Sequence, residues 1–429
     1  MPVHSLFGHI QLLRMPTPSL LIVPARFKSG KLYSQIPTSG AGDFTVTRAT
    51  AATRVNASGF IESVASGIPR LDYFASGGTV GCPALLVEPS AQNLALQSEN
   101  FGTTWSPNQL IAFGSGSVLN TTGTLDPYGT NVSDLIVAST VSGVQHRIDQ
   151  TTTSASGSYT FSVFVKAAGY NFTWLRIGTV GAFFNLSNGA ITGTSAGIVA
   201  SSQNYGNGWY RCIISKASSS ANEVLRINII QTDGVTDFAG DGTSGIYVFG
   251  AQYETGSVAT SYIPTTTGSV TRNADVISVS GAVSGSIGQT QGTIYAEVDV
   301  RNWVNNSRIF SISDGTQTNR IMTLFNSSNR FRVIVDAVSG SAQVDISSSS
   351  LTNGVHKIAV GYAANDVVFY VNGVLVGSDT TVNIPACSQA FLGKIETSAS
   401  SNFLNDRIRA VALYTTRLTD AELAALTTP

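Results

Sequence analysis

SYIPTTTGSVTRNADVISVS, residues 261–280, is the stretch on which the reading of the fold turns. It reads as a join between two β domains. Ahead of it, GIYVFGAQYETG (245–256) ends one run of strand-like sequence; beyond it, GTIYAEVDV (292–300) opens another. Pro264 biases Ile263 toward an extended backbone. Gly268 marks a turn before the alternating Val270, Ile277 and Val279. By composition alone the stretch also fits an ordinary linker. Two features tie it to the N-terminal part of the chain. NLALQSENF (93–101) opens the segment that 261–280 closes. FTVTRATAATRVN (44–56) echoes SVTRNADVISV (269–279), each placing an arginine after Val-Thr, namely Arg48 and Arg272.

Outward from the join, 429 residues suffice for two or three domains with their own cores. Only 11% of residues are charged, which fits β surfaces dressed with Ser, Thr and Asn rather than an ordinary charged surface. A net charge of -1 offers no electrostatic footprint for nucleic acid. No apolar run reaches the length of a membrane span, and PSLLIVP (18–24) is too short for a signal peptide, so neither membrane insertion nor secretion is expected. Cys82, Cys212 and Cys387 are too scattered for a metal cluster or a disulfide framework; their odd number favours buried thiols, with one pair left open. There is no GxSxG nucleophile elbow; HExxH, P-loop and CxxC patterns are absent, and four histidines leave little acid–base stock.

Residues 1–100 alternate short apolar runs with Pro and Gly, as in KLYSQIP and GCPALLVEP. Two readings stand: a small irregular domain packed on the next module, or an attachment and oligomerisation segment. Residues 101–264 read as an antiparallel β-sandwich. SYTFSVFVKA (158–167) sets Tyr159, Phe161, Val163 and Val165 on one face, and Ser187-Asn188-Gly189 makes a hairpin turn. For a hydroxylated ligand, the aromatic candidates are Trp105, Tyr128, Trp174 and Tyr205, since sugar C–H faces stack on aromatic planes. In GVQHRIDQ (143–150), Gln145, Arg147 and Asp149 share a face that reads as a polar groove or a solvated strand. The loop TDGVTDFAGDGTSG (232–245) offers Asp233, Asp237 and Asp241 as hard oxygen ligands for calcium, or simply a glycine-rich turn.

After a linker at 265–291, residues 292–429 read as a second sandwich. Asn372-Gly373 joins two of its strands as a tight hairpin, and Thr419 caps a C-terminal helix with Glu422 three residues on. Glu297 and Asp299 share a strand face but make a weak case for glycoside hydrolysis. Cleavage near the join should then leave two folded pieces.

GKLYSQIP (30–37), DFTVTRATAATRVNASGFIE (43–62), IPRLDY (68–73), PALLVEPSAQNLALQSENF (83–101) and ATSYIPTTTGSVTRNAD (259–275) together resemble modular bacteriophage tail or fibre proteins. The middle region is similar to carbohydrate-binding modules of the jelly-roll type. VFYVNGVLVG (368–377), FLGK (391–394) and DRIRAVALYTTRLTDAELAAL (406–426) resemble laminin-G-like or concanavalin-A-like jelly rolls. These likenesses imply an all-β virion protein, assembled as a homotrimer and joined to other virion proteins through its N-terminal region. They imply attachment to host cell-surface polysaccharide without catalysis. The alternatives are a structural fibre or capsid-decoration protein and, third, a polysaccharide hydrolase.

Overall fold

The computed structural model describes residues 16–74, 80–111, 124–131, 133–337, 342–395 and 402–429. Nearly all regular structure is antiparallel β, arranged as two sandwiches. The inserted sandwich is continuous in sequence. One sheet contains the strands Ser106–Asn108, Val144–Thr151, Val224–Ile230, Phe172–Ile177, Val180–Asn185 and Ile191–Thr194 in that order, with Asp237–Phe238 as its seventh member. The facing five-stranded sheet runs Asp134–Val137, Gly245–Thr255, Gly157–Ala168, Trp209–Ser219, Ile198–Gly206. Between them lie Tyr159, Phe161, Val163 and Val165, the face expected from their alternation, against Leu175, Ile177, Ile227 and Ile229.

The larger sandwich is built from both ends of the chain. Its eight-stranded sheet places Val80–Val87 and Leu71–Phe74 beside Asp406–Tyr414, whose other partners are Gln291–Val300 and the N-terminal Leu20–Ile22. Its nine-stranded sheet sets Phe44–Thr47 against Val276–Ser280, which continues to Gln389–Leu392. Leu20, Phe44, Leu71 and Leu85 are buried in the same core as Ile294, Phe310, Phe369 and Leu413.

This pairing corrects the expected boundaries. Short strands broken by turns do occur here, but Leu20–Ile22, Phe27–Lys28, Lys31–Leu32, Phe44–Thr47, Leu71–Phe74 and Val80–Val87 are members of the C-terminal sheets, with Ala52–Val55 and Ile61–Val64 a hairpin of their own, rather than a separate region ending at residue 100. Residues 265–291 are not a free linker either. Val270–Arg272 pairs with Ala91–Asn93, Val270 opposite Asn93, and Val276–Ser280 is a sheet strand. The short pair is the neck through which the chain leaves the larger sandwich and returns. Asn93, fully buried, satisfies both ends of its amide there. Its Nδ2 donates to the carbonyls of Ala251 and Ile263 (3.0 and 2.8 Å), and its Oδ1 accepts from the amides of Ala95 and Tyr253 (both 3.0 Å). The physical reason for the correction is that short strands cannot bury an apolar face alone and find their partners wherever the chain returns.

The two arginines of the Val-Thr-Arg echo meet at this neck. Arg48 bridges Asp275 (2.8 Å), Arg70 binds both Glu88 (2.6 Å) and Asp275, and Arg272 lies 3.4 Å from Glu88. All five side chains are at most 3% exposed. Burial pushes the Glu88 carboxyl up, but Arg70, Arg272 and the Ser261 hydroxyl outweigh it and hold the group well below the usual carboxylate range. Glu88 also accepts from the Ser261 amide at 2.6 Å, so the cluster ties 88, 261 and 275 together.

Other local expectations meet the structure directly. Asn372 and Gly373 adopt φ of 50° and 82°, as a two-residue hairpin turn requires. The helix Asp420–Thr427 carries the capping box of Thr419 and Glu422 and lays Leu423 and Leu426 on the outside of the eight-stranded sheet. No disulfide joins the three cysteines; Cys212 and Cys387 are buried and Cys82 is exposed. No helix among the described residues is long and apolar enough to cross a membrane.

Candidate functional site

The outward side of the seven-stranded sheet carries the site. Alternation puts His146, Ile148 and Gln150 inward and leaves Gln145, Arg147 and Asp149 outward on the strand Val144–Thr151. The next strand, Val224–Ile230, sets Asn228 opposite Arg147 and Arg226 opposite Asp149. Beyond it, Phe172–Ile177 sets Trp174 opposite Asn228 and Arg176 opposite Arg226, and Phe183 lies opposite Trp174 on the following strand. Four of the sequence candidates, Gln145, Arg147, Asp149 and Trp174, therefore share one face.

Their contacts are specific. Gln145 Oε1 accepts from Arg147 Nη1 (3.2 Å), Arg176 Nη1 (3.3 Å) and Asn228 Nδ2 (3.4 Å). Asp149 accepts from Arg147 Nε at 3.1 Å and lies 3.6 Å from Arg226 Nε. Phe183 stacks on Trp174 with centroids 4.9 Å apart and planes 12° from parallel, and the Arg176 guanidinium lies 4.1 Å from the same ring. Burial, together with the neighbouring Arg226 and Arg147, lowers Arg176 to about 10. Asn228 is fully buried with no donor for its Oδ1, and Trp174 Nε1 meets no acceptor. The arrangement supplies a fixed aromatic surface, side-chain amides and three guanidinium groups. His146 takes no part, because its ring nitrogens face the carbonyls of Gln109 (2.6 Å) and Phe238 (3.0 Å) inside the sandwich.

The remaining candidates lie elsewhere. Trp105 is 3% exposed, packs on Phe101 and donates Nε1 to the Leu96 carbonyl at 3.1 Å; its polar neighbours in sequence concealed a core residue. Tyr128 is half-buried in an aromatic cluster with Phe249 and Tyr262, and burial beside Glu99 and Asp126 pushes its hydroxyl far above the usual range. Tyr205 packs against Phe74 (4.7 Å) and Phe164 (4.8 Å), where the two sandwiches meet. Neither tyrosine is an open platform.

The acidic loop does not converge. Asp233 accepts from Thr192 Oγ1, Asp237 from Thr236 Oγ1, and Asp241 from the amides of Thr243 and Ser244 and from Ser244 Oγ. Hydrogen bonds from Ser244 and Thr243 lower the Asp241 carboxyl below its usual range. Among the described residues no three His, Cys, Asp or Glu side chains gather as a metal site would need. Asp237 and Asp241 bond within their own loop instead, and Asp233 ties that loop to Thr192.

Sequence reasoning missed Arg176, Arg226, Asn228 and Phe183. A period-2 reading of FTWLRIG and EVLRINII would have found the first three, since Leu175, Ile177, Leu225, Ile227 and Ile229 take the inner face. A cleft of about 500 Å³ also separates the two sandwiches, lined by Ser201, Gln203, Phe74, Arg301, Asn302 and Asn353.

With this geometry in place, comparison with known proteins is informative for one region. Residues 271–424 match the family described as the concanavalin A-like lectin/glucanases superfamily, so the chain contains a concanavalin A-like jelly roll. No curated protein matches the chain. Among solved structures, it is similar to the carbohydrate-binding module CBM40 of the Ruminococcus gnavus IT-sialidase bound to α2,3-sialyllactose. The identity is 15%, covering 33% of this chain and 84% of that one, with a TM-score of 0.30. Domain 4 of AbnA, a GH43 extracellular arabinanase from Geobacillus stearothermophilus in complex with arabinotriose, is 13% identical over 41% of this chain and 84% of its own (TM-score 0.30). A SAP-like pentraxin from Limulus polyphemus is 14% identical over 32% and 69% (TM-score 0.25). No residue role is carried over from any of them.

Proposed function

We propose that the chain is a noncatalytic glycan-binding protein of a phage particle surface, a tail or fibre component that attaches to host polysaccharide through the inserted sandwich. The observation that carries the binding reading is the convergence of Gln145, Arg147, Asp149, Trp174, Arg176 and Asn228 on one outward sheet face. Such a face pairs an aromatic anchor with a few directed polar groups, which is how sugar hydroxyls and ring faces are held. The noncatalytic reading is supported by the state of the carboxylates. Asp299 is bridged to Arg301 at 2.8 Å and Glu297 to Arg409 at 3.1 Å, which leaves neither free as an acid or base. The virion setting and a homotrimer rest on the resemblance of 30–101 and 259–275 to phage tail and fibre proteins.

A glycan array probed with the full chain tests the reading. Trp174→Ala should remove binding while leaving the thermal melt nearly unchanged. Loss on Gln203→Ala with Trp174→Ala silent would move the site to the cleft, and no binding to host polysaccharide would favour a purely structural component. Reducing-end assays on the bound polysaccharide should show no cleavage, and light scattering should report three subunits. Single contacts are weak, so several copies acting together supply useful adhesion.

A further inference from the structure

We propose that the outward face of the seven-stranded sheet selects acidic saccharides, with Arg147, Arg176 and Arg226 cradling a sugar carboxylate. The inference rests on the glycan-binding reading above and specifies its ligand. Three guanidinium groups share this face with one carboxylate, Asp149, which already answers Arg147 and Arg226. Arg176 has no carboxylate bridge among the described residues. It stands directly opposite Arg226 across the antiparallel pair, where like charges repel. Arg147 and Arg176 both donate to the same neutral oxygen, Gln145 Oε1. A fold gains nothing from holding cations together around a neutral amide; an incoming anion does. The guanidinium fork matches a carboxylate in two parallel hydrogen bonds.

The neighbouring groups suit the rest of a sugar. Gln145 and Asp149 are half-buried beside the arginines and offer side-chain oxygens that sugar hydroxyls can donate to. The stacked Trp174 and Phe183 border the cluster with apolar surface. A nucleic-acid backbone fits poorly. The chain carries a net charge of -1, and the cations form one compact cluster rather than a stripe along a groove.

The test uses the full chain and a panel of oligogalacturonate, oligomannuronate and sialyl oligosaccharides beside their methyl esters, read by calorimetry at low and high salt. At least one acid form should bind about tenfold or more tightly than its ester, with the difference shrinking as salt rises. Arg176→Gln should abolish that preference, and Arg176→Lys, which keeps the charge but lacks the fork, should restore it only in part. Arg147→Gln serves as the second variant if Arg176→Gln lowers the melting temperature. Equal affinity for acids and esters, with loss of both on Trp174→Ala, overturns the acidic selectivity and leaves the glycan site standing. Silence toward acids, esters and neutral saccharides alike overturns both.

Discussion

The two sandwiches treat their outward faces differently. On the larger sandwich, the eight-stranded sheet is covered by the chain itself, with Leu423 and Leu426 of the C-terminal helix packed on Tyr295, Tyr370 and Tyr414. Its nine-stranded sheet shows matched charges, Arg320 with Asp336 and Arg332 with Asp345, around Met322, Leu324 and Ile334. On the inserted sandwich, the five-stranded sheet turns Phe164 toward the junction, against Ile61 and Tyr262. Among the described residues, only the seven-stranded sheet presents three arginines to one aspartate beside a stacked tryptophan. The larger sandwich neutralises or covers its surfaces, as scaffolding does, whereas the inserted one leaves a face on which Arg176 has no carboxylate bridge among the described residues. Departures from local consistency of this kind concentrate where a protein binds something.

The comparison can be broken most severely by cutting the chain. A fragment of residues 90–268 holds the whole inserted core and should unfold cooperatively by itself. A fragment of residues 269–429 should fail to fold, because it lacks Leu20–Ile22, Phe44–Thr47, Leu71–Phe74 and Val80–Val87. A sharp thermal transition from the second fragment would mean that the N-terminal strands are dispensable decoration.

The neck cluster comes next in size. Arg70→Met strands Glu88 and Asp275 in a dry site and should lower stability by about 3–5 kcal/mol in urea unfolding. Both sandwiches should be affected, since 88, 261 and 275 belong to the chain's two crossings between them. A loss confined to one sandwich would show that the neck does not couple them.

A pH titration sharpens the contrast from inside each core. Burial pushes Asp406 of the larger sandwich and Asp134 of the inserted one up to about 7. Because the folded state then holds protons that the unfolded chain releases near pH 4, stability should fall as pH rises from about 4 to about 7 and level off above. Asp406→Asn should flatten that slope for the larger sandwich, and Asp134→Asn for the inserted one. An unchanged slope in both variants would place the proton uptake elsewhere. The smallest effect is expected at the helix cover. Thr419→Ala removes the cap and should cost about 1 kcal/mol, read as a small melting shift without change in glycan binding.

Much of this was legible before any coordinates. Alternation identified the inner face of Gly157–Ala168, the Asn372-Gly373 pair set a hairpin, and Thr419 with Glu422 set a helix start, because each depends on residues close in sequence. Gln145, Arg147 and Asp149 were placed on one face by the same period-2 rule. Trp105 was misread because a polar loop sequence says nothing about which core lies beneath it.

Local chemistry in the sequence thus determined that this chain is all-β, where its turns and helix cap fall, and which residues of a strand point the same way. Tertiary structure alone decided which strands pair across the chain. Leu20 lies opposite Leu413 and Phe44–Thr47 beside Val276–Ser280 because short apolar strands are stable only inside a shared core. It also decided that Arg48, Arg70 and Arg272 meet two carboxylates, Glu88 and Asp275, at the neck, whereas Arg147, Arg176 and Arg226 meet a single one. The sign and balance of charge at a point depend on strands brought together by the fold, and no periodicity along one strand encodes its neighbour's side chains.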